Sequence, residues 1–317
     1  MDYSADLDFY HDVPAQHQRC QAESGLQAMY FRGVTYLVLA GVFLSTSGIF
    51  VRSLQSEDPW IILLYRSLAF SATVLLFMKF SGRAGLTARF KTMQPRDAIV
   101  SISLGLGFIL YLLSLYHTTV ANTVFILSAG PFVAALLGWL VLSERVSGLT
   151  WLAMTIASVG IAIMVSDGLR GDHRTGILLA FGAVATFALM IVVMRSSASE
   201  RDLLPATFFG GIIAALICLP MIEQFAISRW DLFLAICLGV IQIGAGFILV
   251  TLGTRYVPAA QVPLLTLSET ALAPIWVWLL VNEIPAKSTL IGGAIVLTAV
   301  ILQGLGGVRS ARRSEID

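Results

Sequence analysis

Apolar residues run through this chain in long unbroken blocks, and polar residues are confined to the short gaps between them. Blocks long enough to cross a hydrocarbon layer, about 20 residues at 1.5 Å rise, fall at 34–52, 60–79, 98–116, 122–142, 150–166, 176–194, 204–222, 232–253, 260–281 and 288–306. Each predicts a transmembrane helix. Barrel strands alternate in polarity and need only about 10 residues, so the pattern excludes them. Composition agrees: 57% of the 317 residues are apolar and 12% charged, with mean hydropathy +0.84. Soluble domains carry about 25% charged residues. The expected fold is an all-α polytopic membrane protein.

Lys and Arg positions orient the spans, because cytoplasmic loops hold the excess. With the N-terminus cytoplasmic, 14 of the 20 basic residues fall inside, 5 outside, and Arg66 within a span. The longest gap, Ser81–Asp97, carries Arg83, Arg89, Lys91 and Arg96. Both termini are therefore expected in the cytoplasm, and the location expected is the plasma (inner) membrane. Residues 1–32 hold Asp2, Asp6, Asp8, Asp12 and Glu23, with no basic stretch before an apolar core. They read as a cytoplasmic polar tail and not as a signal peptide.

A repeat organises the spans. Gly105-Leu106-Gly107-Phe108-Ile109-Leu110 returns 139 residues later as Gly244-Ala245-Gly246-Phe247-Ile248-Leu249. Residues 105–144 and 244–283 then stay in register without a gap and share 11 of 40 identities, among them Ala134/Ala273, Trp139/Trp278 and Glu144/Glu283. Five spans per repeat is an odd number, so the second copy must cross the bilayer in the opposite sense. Two inverted five-helix repeats are expected: 33–166 and 176–306, joined by an external linker at 167–175, with a cytoplasmic basic tail at 307–317. Such symmetry relates inward-open and outward-open arrangements.

Pro131-Phe132, Gly138, Ser143-Glu144-Arg145, Trp151 and Gly160 form one motif run, and Glu269 to Trp278 with Asn282-Glu283 and Gly292-Gly293 form a second. With Tyr65-Arg66 in span 2, they resemble the EamA-type family of the drug/metabolite transporter superfamily, over residues 34–306. The resemblance implies ten helices and export of amino-acid-like or other amphipathic solutes. Many members have Trp-Gly in span 1, where this chain has Phe43-Leu44-Ser45-Thr46-Ser47-Gly48.

Glu269 sits near the middle of span 9, and its counterpart in the first repeat is Gly130. A charge there costs about 2.5–3.5 kcal/mol on insertion scales. It reads as a proton carrier or a site for a cationic group. The alternative is a carboxylate paired with Arg66 or capped by Ser268 and Thr270. Arg66 is suited to hold a carboxylate or phosphate through its planar fork, or else to pair structurally or snorkel to the interface. Ser45 and Ser47 in span 1, Tyr111 in span 3, Thr186 in span 6, Gln242 in span 8 and Thr266 in span 9 are further candidates for the pathway. A Ser or Thr in a span often bonds its own helix instead. Glu144 and Glu283 end their spans and read as gate halves or helix-end anchors. Pro131, Pro263 and Pro274 are expected to free carbonyls mid-span. Trp139, Trp276 and Trp278 read as lipid or packing residues.

The sequence points to a secondary-active transporter, with proton coupling through Glu269 if that carboxylate titrates. An uptake permease or an uncoupled exchanger would share the architecture. A polytopic membrane enzyme or scaffold is the other class, but His11, His17, His117 and His173 are scattered and form no metal pair. Cys20, Cys218 and Cys237 show no metal spacing either. The expected partners are a small solute, the lipid bilayer and H+, in a monomer or homodimer. No cofactor, metal or nucleic acid is expected.

Overall fold

A computed structural model describes residues 29–81, 85–142, 148–168, 173–196, 202–253, 256 and 262–314. Every element in them is helical. Seven helices are long and apolar enough to cross a bilayer: Met29–Arg52, Pro59–Ser81, Pro95–His117, Val120–Leu140, Arg174–Val193, Leu204–Met221 and Arg229–Val250. The remaining three expected spans hold shorter apolar stretches, Trp151–Ile163, Ser268–Val281 and Lys287–Ala299. Within these limits the chain is a multi-pass membrane protein. The expected tail at 1–32 lies outside the described residues up to residue 28, and so do residues 169–172 of the linker and the Glu144 turn.

Helix starts follow from local chemistry. Asp58 Oδ1 accepts from Trp60 N at 2.8 Å, one turn into the Pro59 helix. Asp97 Oδ2 accepts from Gln94 N at 2.8 Å, closing the start of the Pro95 helix, where Pro95 gives up no needed donor. Ser228 Oγ accepts from Asp231 N at the start of the Arg229 helix.

Three spans are not simple α-helices. The first bends at Thr46, where the Ser45 and Thr46 hydroxyls bond the carbonyls of Val42 and Phe43, three residues back, at 2.7 and 2.6 Å. Such bonds compete with the helix ladder. The fourth is split into Val120–Leu127 and Gly130–Leu142, because Pro131 removes a ladder donor. In the eighth, Leu238–Ala245 winds as a π-helix, whose bonds reach five residues back. Pro263 departs from expectation. It is the second residue of the Val262–Val281 helix, where a missing N–H costs nothing, and Pro274 alone lies inside that helix.

The strongest helix pairings are Pro95–His117 on Arg174–Ser196, Gly148–Gly168 on Lys287–Ser314, and Leu204–Cys218 against both Pro59–Ser81 and Pro95–His117. An aromatic knot fills the centre. Phe108 packs edge-on against Phe70 at 5.0 Å and against Phe247, its own repeat counterpart, at 5.9 Å. Nearby, Gly239 lets the π-helical stretch lie on the Pro59 helix backbone. A Cβ there would meet Arg66 O, Ala69 Cβ at 2.6 Å and Phe70 N at 3.0 Å. Backbone atoms cannot swing aside, so Gly239→Ala is expected to destabilise the fold by about 3 kcal/mol. Thermal unfolding of the detergent-solubilised protein reads this, and an unchanged midpoint would mean the contact is slack.

Candidate functional site

The bend in the first helix, the π-helical stretch and the centres of the Pro59 and Pro95 helices meet around Arg66. Its side chain is 1% exposed. The guanidinium lies over the Phe108 ring at 5.4 Å and the Tyr111 ring at 5.8 Å. Nη1 donates to Phe108 O and Nη2 to Gln242 Oε1, both at a long 3.4 Å, while Nε is buried with no acceptor. Gln242 is itself buried and donates through Nε2 to Leu44 O at 3.4 Å. The carbonyl of Leu44 is reachable because the chain bends just beyond it.

Tyr111 is the next link. Its hydroxyl shares a 2.6 Å hydrogen bond with Ser47 Oγ, both side chains being buried. It lies within electrostatic range of both Arg66 and Glu269. Glu269 is half-buried on the Val262 helix. The expected alternative of a permanent Arg66–Glu269 pair does not occur: the ion pairs among the described residues are Arg52–Glu283 and Arg89–Asp202. Nor does Arg66 snorkel to an interface, since its head group is sealed among helices. Two opposite charges therefore stand near one tyrosine without neutralising each other. A buried cation without a counter-ion costs several kcal/mol.

Ser45 Oγ accepts from Trp276 Nε1 at 3.1 Å. Trp276 is thus turned inward, the packing and not the lipid alternative, and it lies seven residues after Glu269, two turns on along the same face. That spacing was the signal in the sequence. Trp139 and Trp278, by contrast, are exposed toward lipid. Thr186 does not join the cluster; its hydroxyl bonds Gly182 O and Ala183 O of its own helix at 3.1 and 2.9 Å. Thr266 is half-buried one turn before Glu269. Glu144 lies outside the described residues.

Glu283 closes one end of the molecule. It takes Arg52 Nε on Oε2 at 2.6 Å and Val120 N on Oε1 at 2.8 Å. Arg52 also donates to Leu115 O at 2.9 Å and Thr118 O at 2.7 Å. Asn282, at φ 57, supplies the left-handed residue that turns the chain back toward this contact. Gln55 N on Asp231 Oδ1 at 2.8 Å adds a third loop to the same end. At the other end Arg89 binds Asp202 and the carbonyl of Met78. Arg52 was missed from the sequence because its partner is 231 residues away.

An apolar groove of about 500 Å³ opens between the Pro59 and Arg229 helices, lined by Tyr65, Leu68, Ala72, Leu76, Ile236 and Val240 among others. It faces outward from the bundle and holds none of the charged residues above. Among the described residues no three His, Cys, Asp or Glu gather as a metal site.

Residues 31–166 and 174–305 each match the model of the family described as EamA-like transporter family. The chain is 24% identical over 279 residues to an uncharacterised transporter of Archaeoglobus fulgidus, covering 86% of this chain and 98% of that protein. It is 23% identical over 276 residues to an S-adenosylmethionine uptake transporter of Rickettsia prowazekii, covering 86% and 92%. Over 275 residues it is 21% identical to the pseudopaline exporter CntI of Pseudomonas aeruginosa, covering 85% and 94%. A solved crystal structure superposes with a TM-score of 0.60 at 15% identity, over 90% of this chain and 98% of that one, which speaks for the fold alone.

Proposed function

Because this chain belongs to the EamA-like transporter family of the drug/metabolite transporter superfamily, we propose that it carries a small metabolite across the plasma membrane by alternating access. The observation that carries the reading is the convergence of polar groups from both matched segments on one buried position. Ser45, Ser47, Arg66 and Tyr111 come from the first segment, and Gln242, Glu269 and Trp276 from the second. A site at the meeting line of two repeats serves both open states without moving.

Ten crossings in two inverted repeats best account for the packing. Three of the five pairings of repeat counterparts are packed pairs: Pro59–Ser81 with Leu204–Cys218, Val120–Leu127 with Val262–Val281, and Gly148–Gly168 with Lys287–Ser314. Helices beside a two-fold axis in the membrane plane meet their own counterparts in this way. With the termini cytoplasmic, the Arg52–Glu283 clasp lies at the external end and the Arg89–Asp202 pair at the internal one. The end clasped by Glu283 then ties the two repeats together and acts as a gate.

Glu269 is the coupling residue in this reading, since a half-buried carboxylate with no ion-pair partner among the described residues is suited to exchange a proton. The relatives include an importer and an exporter, and export of an amphipathic solute is the direction proposed. Catalysis is not part of the proposal. Proteoliposomes holding the purified chain are expected to accumulate specific solutes from a cell metabolite extract, read by mass spectrometry against protein-free vesicles. Identical profiles in the two vesicle sets would sink the transporter reading.

A further inference from the structure

We infer that the Arg66 guanidinium is the binding site for a single carboxylate group on the transported solute. This rests on the transporter reading and narrows it to cargo carrying a monovalent planar oxyanion. The cation is sealed from water, yet no carboxylate pairs with it among the described residues. A guanidinium has five N–H donors. Only two are engaged, both at 3.4 Å, and Nε has no acceptor at all. A structural arginine in a protein interior normally has its charge matched and its fork filled. This one has neither.

The surroundings choose among anions. Phe108 and Tyr111, one turn apart on one helix, set two aromatic rings beside the guanidinium, whose N–H donors lie in the plane of its fork. A planar carboxylate fits that plane with two parallel bonds. A phosphoryl dianion would bring a second negative charge that one arginine does not neutralise. The other polar atoms facing the guanidinium, Gln242 Oε1 and Phe108 O, are acceptors and would repel the extra charge. Glu269, which acts electrostatically on Tyr111, disfavours a second negative group on the cargo. Because Arg66 is sealed in this conformation, the carboxylate enters as the surrounding helices part, and neutralising the cation supplies a driving force for closing them again.

Binding can be read apart from transport. The purified full chain in detergent is unfolded thermally, by tryptophan fluorescence, against phenylacetate, phenylacetamide and phenyl phosphate. Phenylacetate and its amide share a shape and differ in charge. The expected result is a saturable rise in midpoint with phenylacetate, none with phenylacetamide and a much weaker one with phenyl phosphate. Arg66→Gln should raise the half-saturating phenylacetate concentration roughly 30-fold, as loss of a charged fork predicts. Arg66→Lys keeps the charge and guards against misfolding of the first variant. It should weaken phenylacetate and erase its advantage over phenyl phosphate, because an ammonium has no fork. Equal shifts from phenylacetate and phenylacetamide, or a phenylacetate shift that survives both substitutions, would overturn the assignment. Proteoliposomes that accumulate no solute while carboxylate binding persists would count against the transporter reading alone.

Discussion

In vesicles under a pH gradient, Glu269→Gln is expected to reduce solute accumulation to the rate of a passive leak, while counterflow exchange at equal pH continues. Gln keeps the size and much of the polarity of Glu but cannot release a proton. If the carboxylate carries the coupled proton, driving force disappears and the binding site stays. The sign follows from charge. Protonated Glu269 is neutral and resembles Gln, so the variant should behave at every pH as wild type does when acidified. Its exchange rate should therefore lose pH dependence. Undiminished pH-driven accumulation would remove Glu269 from the coupling mechanism and leave an uncoupled exchanger. The first outcome is favoured because no cation pairs with Glu269 among the described residues.

The Arg52–Glu283 clasp is the second place where a single change should have a large effect. Glu283→Ala leaves Arg52 without its counter-ion and Val120 N without its acceptor. The side chains are 25% and 19% exposed, so water screens part of the loss. About 2–3 kcal/mol of destabilisation is expected. Arg52→Met combined with Glu283→Ala should cost less than the sum of the two, with a coupling of about 1–2 kcal/mol in a double-mutant cycle. Thermal unfolding reads the cycle. Function supplies an independent check. If the clasp holds one gate shut, a cysteine placed at Thr118 should become reachable to impermeant reagents in the Glu283→Ala protein. Additive energies with unchanged labelling would reduce the clasp to an incidental surface contact.

The apolar blocks were legible because lipid imposes one rule on every crossing: backbone groups must be satisfied within the helix. Pro131 announced the break in the fourth span for the same reason, a missing donor. Glu269 stood out by cost alone. What could not be read were interactions made by folding back. Nothing near Arg66 in the chain says that its head group lies between Phe108 and Tyr111, since that depends on how two helices rotate about their axes. Ser45 and Ser47 looked like pathway hydroxyls, yet Ser45, like Thr46 beside it, spends a bond on its own backbone. Thr186 does the same without bending anything visible. Pro263 was misjudged because the sequence did not mark where the Val262 helix begins. Trp276 needed only its seven-residue spacing from Glu269 to be placed inside.

The wide winding between Leu238 and Ala245 has a counterpart in the first repeat, residues 99–106, which lies inside the ordinary Pro95–His117 α-helix. The two stretches align residue for residue, yet one turns more slowly about its axis than the other. Beyond the slow stretch, every side chain in the second copy points along a different bearing from its twin. Symmetry in the letters is thus broken in the screw. A helix that tightened this stretch to α pitch would gain no residues and lose none. Its far end would instead rotate, sweeping Phe247 around relative to Gln242. Among the described residues, only the second repeat carries winding slack of this kind.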